Sequence, residues 1–127
     1  MEGMELDPLR LENQLCFPLY ACAREVVKKY KPFLDDIDLT YTQYITMMVL
    51  WEKPSVTSKE IGERLHLESG TLTPVIKKLA EKGLVTRNRQ PEDERNLVVA
   101  LTDAGRALRQ RALPIPGQIG ARICLSP

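Results

Sequence analysis

Cys16 is the residue of this 127-residue chain whose type and setting most invite chemistry. It stands in the run Asn13-Gln14-Leu15-Cys16-Phe17-Pro18. Pro18 has no N–H to give the carbonyl of Gln14, so a kink or broken turn is expected beside the thiol, at a nominal cost of about 3 kcal/mol. A thiol attacks an O–O bond only as thiolate, so a reactive cysteine needs neighbours that favour the anion; Glu12, one helical turn earlier, opposes ionisation. Once oxidised to a sulfenic acid, the sulfur can condense with a second thiol, take a small-thiol cap, or go on to irreversible acids. The plain alternative is a small buried apolar residue. Cys22, six residues on, lies about 9 Å away along a helix, too far for a disulfide, and reads as core.

A second group of residues suits a polyanion. In the run from Ser69 to Lys77, Leu72, Val75 and Ile76, with Leu79 beyond, share one side of a helical wheel. Gly70, Thr73, Pro74, Lys77 and Glu81 centre on the other. Small residues let a backbone come close to base edges, Thr73 can meet a thymine methyl or a phosphate, and Lys77 can reach guanine or phosphate. Arg95, expected at or near a hairpin tip, suits a narrow minor groove, with Asp93 placed to orient its guanidinium and Arg87 and Arg89 on the incoming strand. The plain alternative is a solvated helix face and an ordinary polar hairpin.

The elements that must position these groups follow from caps and periodicity. Asp7-Pro8 predicts the start of a first helix whose apolar stripe is Leu11, Leu15, Leu19, Cys22, Val26 and Tyr30, ended by Pro32 and the acidic Asp35–Asp38 run. Thr40-Tyr41-Thr42-Gln43 has the form of a capping box, opening a second helix to about Glu52 that buries Tyr44 or Ile45, Met48, Val49 and Trp51. Thr57-Ser58-Lys59-Glu60 opens a short third helix, and after a turn at His66-Leu67-Glu68 the fourth runs to a Gly83 cap. Strands over 84–89 and 96–101, with Leu97, Val99 and Leu101 on one face, flank the polar loop 90–95. Thr102-Asp103 caps a last helix to about Leu113, ended by Pro114 and Pro116. The expected fold is mainly α with a small β-hairpin wing: a winged helix-turn-helix whose second helix enters the major groove. The whole chain, 1–127, reads as one domain, with 57–101 as helix-turn-helix and wing and with 1–40 and 102–127 as helical dimerisation elements.

Composition fits that reading, since 43% hydrophobic and 28% charged residues suit one globular domain. No stretch approaches the ~20 apolar residues of a membrane span, so a cytoplasmic protein with no membrane partner is expected. The net charge is +1, but residues 1–40 carry 5 basic and 8 acidic groups while 102–127 carry 4 and 1. A local basic patch is therefore compatible with near-neutrality. Three cysteines without paired spacing and one His argue against a disulfide framework and a zinc site, and no cofactor is expected.

The run Ser69-Gly70-Thr71-Leu72-Thr73-Pro74, with Lys77-Lys78-Leu79, Gly83-Leu84-Val85, Asp93-Glu94-Arg95 and Leu101-Thr102-Asp103-Ala104-Gly105, resembles the MarR family of dimeric winged-helix repressors. Asn13-Gln14-Leu15-Cys16-Phe17, Tyr30-Lys31-Pro32 and Leu39-Thr40-Tyr41-Thr42-Gln43-Tyr44 are similar to its organic-hydroperoxide-sensing (OhrR-like) subgroup. The resemblance implies a homodimeric repressor of a double-stranded DNA operator, with Cys16 as peroxide sensor and Tyr30 and Tyr41 of the opposite subunit donating hydrogen bonds to its sulfur. These phenols, and the positive end of a partner helix beginning near Thr40, would favour the thiolate. Some members carry a resolving cysteine near the C-terminus, a role open to Cys124, which otherwise is an incidental thiol. The family's long C-terminal helix has no full counterpart before Pro127, so the dimer is expected to rest on the N-terminal helix and the residues beyond Pro116.

The sulfenic acid alone is expected to be an incomplete switch, the next covalent step, for example capping by a small thiol, deciding release. Two other readings stand beside the sensor: a repressor released by a small aromatic ligand, and a thiol peroxidase.

Overall fold

The computed structural model describes residues 7–90 and 93–122, without the side chains of residues 90, 93–96 and 122. Asp7 does not open a helix. Its carboxylate accepts from the Leu9 N–H at 3.0 Å, closing a local turn, and a 3-10 turn follows at Leu11–Asn13. The first α-helix, α1, spans Cys16–Asp36. Pro18 is thus the third residue of α1, where the N–H has no intrahelical acceptor, and the expected kink gives way to a helix start. Pro32 does not end α1 either. The helix continues for another turn and buries Leu34, with Ile37 just beyond it, which offsets the proline's cost. It closes with Asp38 in the left-handed region (φ 55°), the Asp38 N–H meeting the Asp35 carbonyl and the Leu39 N–H the Leu34 carbonyl.

Helix α2, Tyr41–Glu52, begins with the expected capping box: the Thr40 hydroxyl accepts from Gln43 N, and Gln43 Oε1 accepts from Thr40 N at 3.1 Å. It buries Met47 and Leu50 completely and leaves Met48 42% exposed, so the expected burial of Met48 is off by one position. A helix contacted on several sides has no clean polar stripe to fix its phase. Strand β1, Ser55–Thr57, was not expected from the sequence; it pairs Val56 with Val99. Helices α3, Ser58–Leu65, and α4, Ser69–Glu81, form the helix-turn-helix. Gly83, at φ 77°, supplies the left-handed residue that lets its own N–H reach Ala80 and that of Leu84 reach Leu79.

Strands β2, Val85–Gln90, and β3, Asp93–Leu101, form the wing, and the sheet runs β1-β3-β2, antiparallel throughout. The strands reach further than expected. Arg89 pairs with Leu97 but Gln90 with Asp93, so positions 94–96 make a bulge in β3, and Arg95 falls there and not in a connecting loop. The alternation of Leu97, Val99 and Leu101 holds, with Val99 and Leu101 buried.

Helix α5, Asp103–Ala112, is capped by Thr102, whose hydroxyl accepts from Gly105 N and donates to the Gly83 carbonyl. Gly105 lies so close to the wing that a Cβ there would stand 2.2 Å from the Leu84 oxygen. Pro114 and Pro116 end one helix and start another: α6, Ile115–Arg122, carries Pro116 in its first turn and buries Ile115 and Ile119 against α1. No helix among the described residues is long and apolar enough to cross a membrane.

Candidate nucleic-acid interface and thiol site

Burial splits α4 cleanly. Leu72, Ile76 and Leu79 are buried, whereas Ser69, Gly70, Thr71, Thr73, Pro74 and Lys77 are exposed. The Thr73 hydroxyl donates to the Ser69 carbonyl at 2.7 Å, so its proton is committed within the helix. Pro74 cannot donate to the Gly70 carbonyl, which keeps the exposed first turns of α4 free of one intrahelical bond.

Strand alternation puts Arg87 and Arg89 on one face of β2. Together with Ser69 and Thr73 they line a concavity of about 890 Å³ between α3, α4 and the wing, to which Lys59 and His66 also contribute. Lys59 was not singled out from the sequence, although its place in the first turn of α3, beside the turn, could have marked it. His66 is the left-handed cap of α3 (φ 56°) and is exposed. Gly70, Thr71, Pro74 and Lys77 lie on the exposed face of α4 beyond this lining. Asp93 and Arg95 belong to β3, and the positions of their side chains lie outside the described residues.

Cys16 is the first residue of α1 and is exposed. A helix terminus therefore also lies at Cys16 in its own chain, where a start at Asp7-Pro8 would have put the thiol inside a helix. Such a terminus presents free N–H groups and the positive end of the dipole to an anion. Glu12, expected to oppose a thiolate, is ion-paired with Arg10 at 2.5 Å in an exposed setting. The apolar stripe along the first half of α1 is bare: Leu15 is 83% exposed and Leu19 66%, and Cys22, expected in the core, is exposed too. No residue of α1 before Leu34 is buried.

Tyr30 and Tyr41 meet edge to face, ring centroids 5.0 Å apart, and Tyr44 completes a triad at 5.8 Å from Tyr30 and 6.3 Å from Tyr41. Tyr44 was absent from the expected site, though it lies one turn from Tyr41 on the same helix. Burial, then the neighbouring Tyr30 phenol, raises the Tyr41 phenol above its ordinary value, and burial foremost does the same for Tyr44. Both stay neutral donors throughout the physiological range. Tyr30 is fourteen positions beyond Cys16 along α1, about 21 Å of helix rise, so one chain does not bring thiol and phenols together. Cys124 lies outside the described residues.

A helix-turn-helix whose second helix is polar and bare along one face, flanked by a two-stranded wing carrying arginines, defines a winged-helix DNA-binding module. Comparison with known proteins agrees. The family model described as transcriptional regulator SarA/Rot matches residues 28–111. The organic hydroperoxide resistance transcriptional regulator of Bacillus subtilis (strain 168) is 50% identical over 115 residues, 91% of this chain and 78% of that protein. Among solved structures, reduced AbfR bound to DNA superposes with a TM-score of 0.76 at 38% identity, covering 86% of this chain and 79% of that one; AbfR is a protein of Staphylococcus epidermidis. AbfR is also known overoxidized and bound to DNA, and in a disulfide-formed state. MarR, at 20% identity and a TM-score of 0.71, covering 84% of this chain and 81% of its own, shares the fold. The chain belongs to the MarR-type winged-helix transcriptional regulators matched by the SarA/Rot model, in the organic hydroperoxide (OhrR-like) group. It is a regulator and not an enzyme, which sets aside the peroxidase reading.

Proposed function

We propose that the chain acts as a cytoplasmic homodimeric repressor that holds a double-stranded operator through α4 and the wing and releases it when an organic hydroperoxide oxidises Cys16. The observation that carries this reading is the pairing of an exposed thiol at the start of α1 with an uncovered apolar stripe, the N-cap residue Leu15 followed by Leu19 and Cys22 on the helix. A second copy packed along that stripe removes apolar surface from water and can deliver its Tyr30 and Tyr41 to the sulfur. Helix α6, packed on α1, extends the same layer, and this supports reading 1–40 and 102–127 as the dimerisation elements and 57–101 as the DNA-binding part of one domain.

The Cys16 thiolate attacks the distal peroxide oxygen, the O–O bond breaks, and the alkoxide leaves with a proton as the alcohol, giving a sulfenic acid. Condensation with a small thiol forms a mixed disulfide and water; Cys124 is the alternative thiol. A single added oxygen supplies little steric preference for the released state, and overoxidized AbfR is itself found on DNA. On the DNA side, Ser69, Gly70, Thr71, Thr73, Pro74 and Lys77 read or approach the major groove, while Arg87, Asp93 and Arg95 serve the wing.

A second reading has its own observation. A cleft of about 420 Å³ lined by Tyr44, Met48, Val49 and Trp51, with Arg109 and the ion-paired Arg64 and Glu52 also in its lining, suits a small aromatic ligand as the releasing signal. Gel-shift titration separates the two. The sensor reading expects operator release by an organic hydroperoxide plus a small thiol, abolished in Cys16→Ser; release by an aromatic carboxylate, indifferent to Cys16→Ser, supports the second reading instead.

A further inference from the structure

Lys82 is the C-terminal cap of α4, the exposed-face helix of the DNA-binding module, yet its ammonium group makes its contacts with the α1–α2 connector and the start of α2. It donates to the main-chain carbonyl of Asp38 and, at 2.9 Å, to Oε1 of Gln43, with the Asp38 carboxylate 3.7 Å away. Both partners belong to the segment that presents Tyr41. Asp38 is the left-handed residue closing α1, and Gln43 is the third residue of α2, whose buried side chain completes the capping box on Thr40. Tyr41, the first residue of α2, lies between these two anchors in the chain.

This geometry makes Lys82 a three-point tie between the end of α4 and the α1–α2 connector. Lysine at a helix C-terminus is ordinarily a solvated partner of the last carbonyls. Here its side chain is only 26% exposed and is spent on another element. A displacement of Tyr41 and of the capping box must either move the ammonium group, and with it the end of α4, or break the tie. We propose that Lys82 is a positioning residue that transmits the state of the thiol site to the DNA-reading helix, through Gln43 and Asp38. The inference rests on the sensor reading given under Proposed function, because it needs a chemical event at Cys16 that displaces Tyr41.

Met at position 82 keeps the length of the apolar stem and removes the donors, and Gln43 Oε1 still accepts from Thr40 N, so no buried acceptor is stranded. The experiment measures operator affinity by fluorescence anisotropy for the wild-type and Lys82→Met proteins, each reduced and after treatment with cumene hydroperoxide and a small thiol. Coupling between sites is the ratio of the two affinities. In the wild type that ratio is large; in Lys82→Met it falls at least about tenfold, within the range of ordinary allosteric couplings, while the reduced form binds within about threefold of wild type. Gln43→Met removes the same tie and also leaves the Thr40 N–H without its acceptor, so it lowers the ratio at least as far. A wild-type ratio in Lys82→Met, or an equal loss of affinity in both redox states, overturns the proposal, the latter marking a purely structural tie. A wild-type protein that keeps its operator after oxidation refutes the sensor reading itself, which the control distinguishes.

Discussion

Replacing Arg87 and Arg89 together with alanine tests whether the concavity between α3, α4 and the wing is the DNA surface. The two guanidinium groups leave the same face of β2, both side chains are exposed, and both line the space that opens beside Ser69 and Thr73. An arginine that neutralises a phosphate releases condensed counterions, each contact adding about 0.9 to the slope of log affinity against log salt. Loss of two contacts flattens the slope by about 1.8, so that between about 50 and about 200 mM salt the double variant loses about 12-fold less affinity than the wild type loses. Fluorescence anisotropy with an operator duplex at several salt concentrations reads this directly. Lys28→Ala is the control, because Lys28 pairs with Glu25 at 3.1 Å on α1, away from the concavity. Parallel lines for wild type and double variant would refute the reasoning and move the DNA surface elsewhere, as would a flattened slope in the Lys28 control alone.

Gly105→Ala places a Cβ 2.2 Å from the Leu84 oxygen and 3.0 Å from Leu101 Cδ2, forcing α5 off the wing and straining the 2.9 Å bond from Trp51 Nε1 to the Gly105 carbonyl. A loss of about 2–4 kcal/mol is expected in urea denaturation, and an unchanged midpoint contradicts the packing. Tyr41 and Tyr44 ionise above the ordinary phenol value in the folded protein, so their contribution to stability is intact below pH ~10 and falls as pH rises toward and through the folded values. Spectrophotometric titration should show late-ionising phenols, whereas all four tyrosines titrating together near the ordinary value contradicts it. Tyr30→Phe or Tyr41→Phe keeps the ring and removes the donor; loss of a charge-assisted bond of about 1.5 kcal/mol slows Cys16 oxidation about tenfold. Operator affinity of the reduced protein should stay near wild type, and an unchanged oxidation rate removes the phenols from the mechanism.

Most of the fold was legible because its signals are local. The Thr40, Thr57 and Thr102 caps, the Gly83 terminus and the alternation of Leu97, Val99 and Leu101 each depend on a few adjacent residues, and each stands where the sequence put it. The misreadings share another cause. Asp7-Pro8 and Pro32 carry ordinary start and stop signals, but a side-chain turn at Asp7 overrides the first, and burial of Leu34 and Ile37 overrides the second. Strand β1 has three residues and exists only because β3 lies beside it, a long-range pairing without local periodicity. The stripe through Leu15, Leu19 and Cys22 is apolar at helical spacing, yet it is bare in the single chain, since a period reports that a face seeks cover and not which molecule provides it. The recognition face of α4 was readable for the complementary reason: Leu72, Ile76 and Leu79 fix its phase against the core. The tie from Lys82 to Asp38 and Gln43 joins residues about 40 positions apart and left no mark in the sequence.

The central claim, that operator release is written in the covalent state of Cys16, is tested most directly by following one sample with two readouts. Protein bound to a labelled operator is titrated with organic hydroperoxide in the presence of a small thiol, anisotropy reporting the bound fraction and mass spectrometry of the digest reporting the modification of each cysteine. Release is expected to rise in step with a small-thiol adduct on Cys16, with Cys22 and Cys124 free over the same range and Cys16→Ser protein bound throughout. A linked Cys16–Cys124 peptide would replace the adduct by a bridge as the releasing step. Operator release with Cys16 unmodified, or from Cys16→Ser protein, would contradict the account.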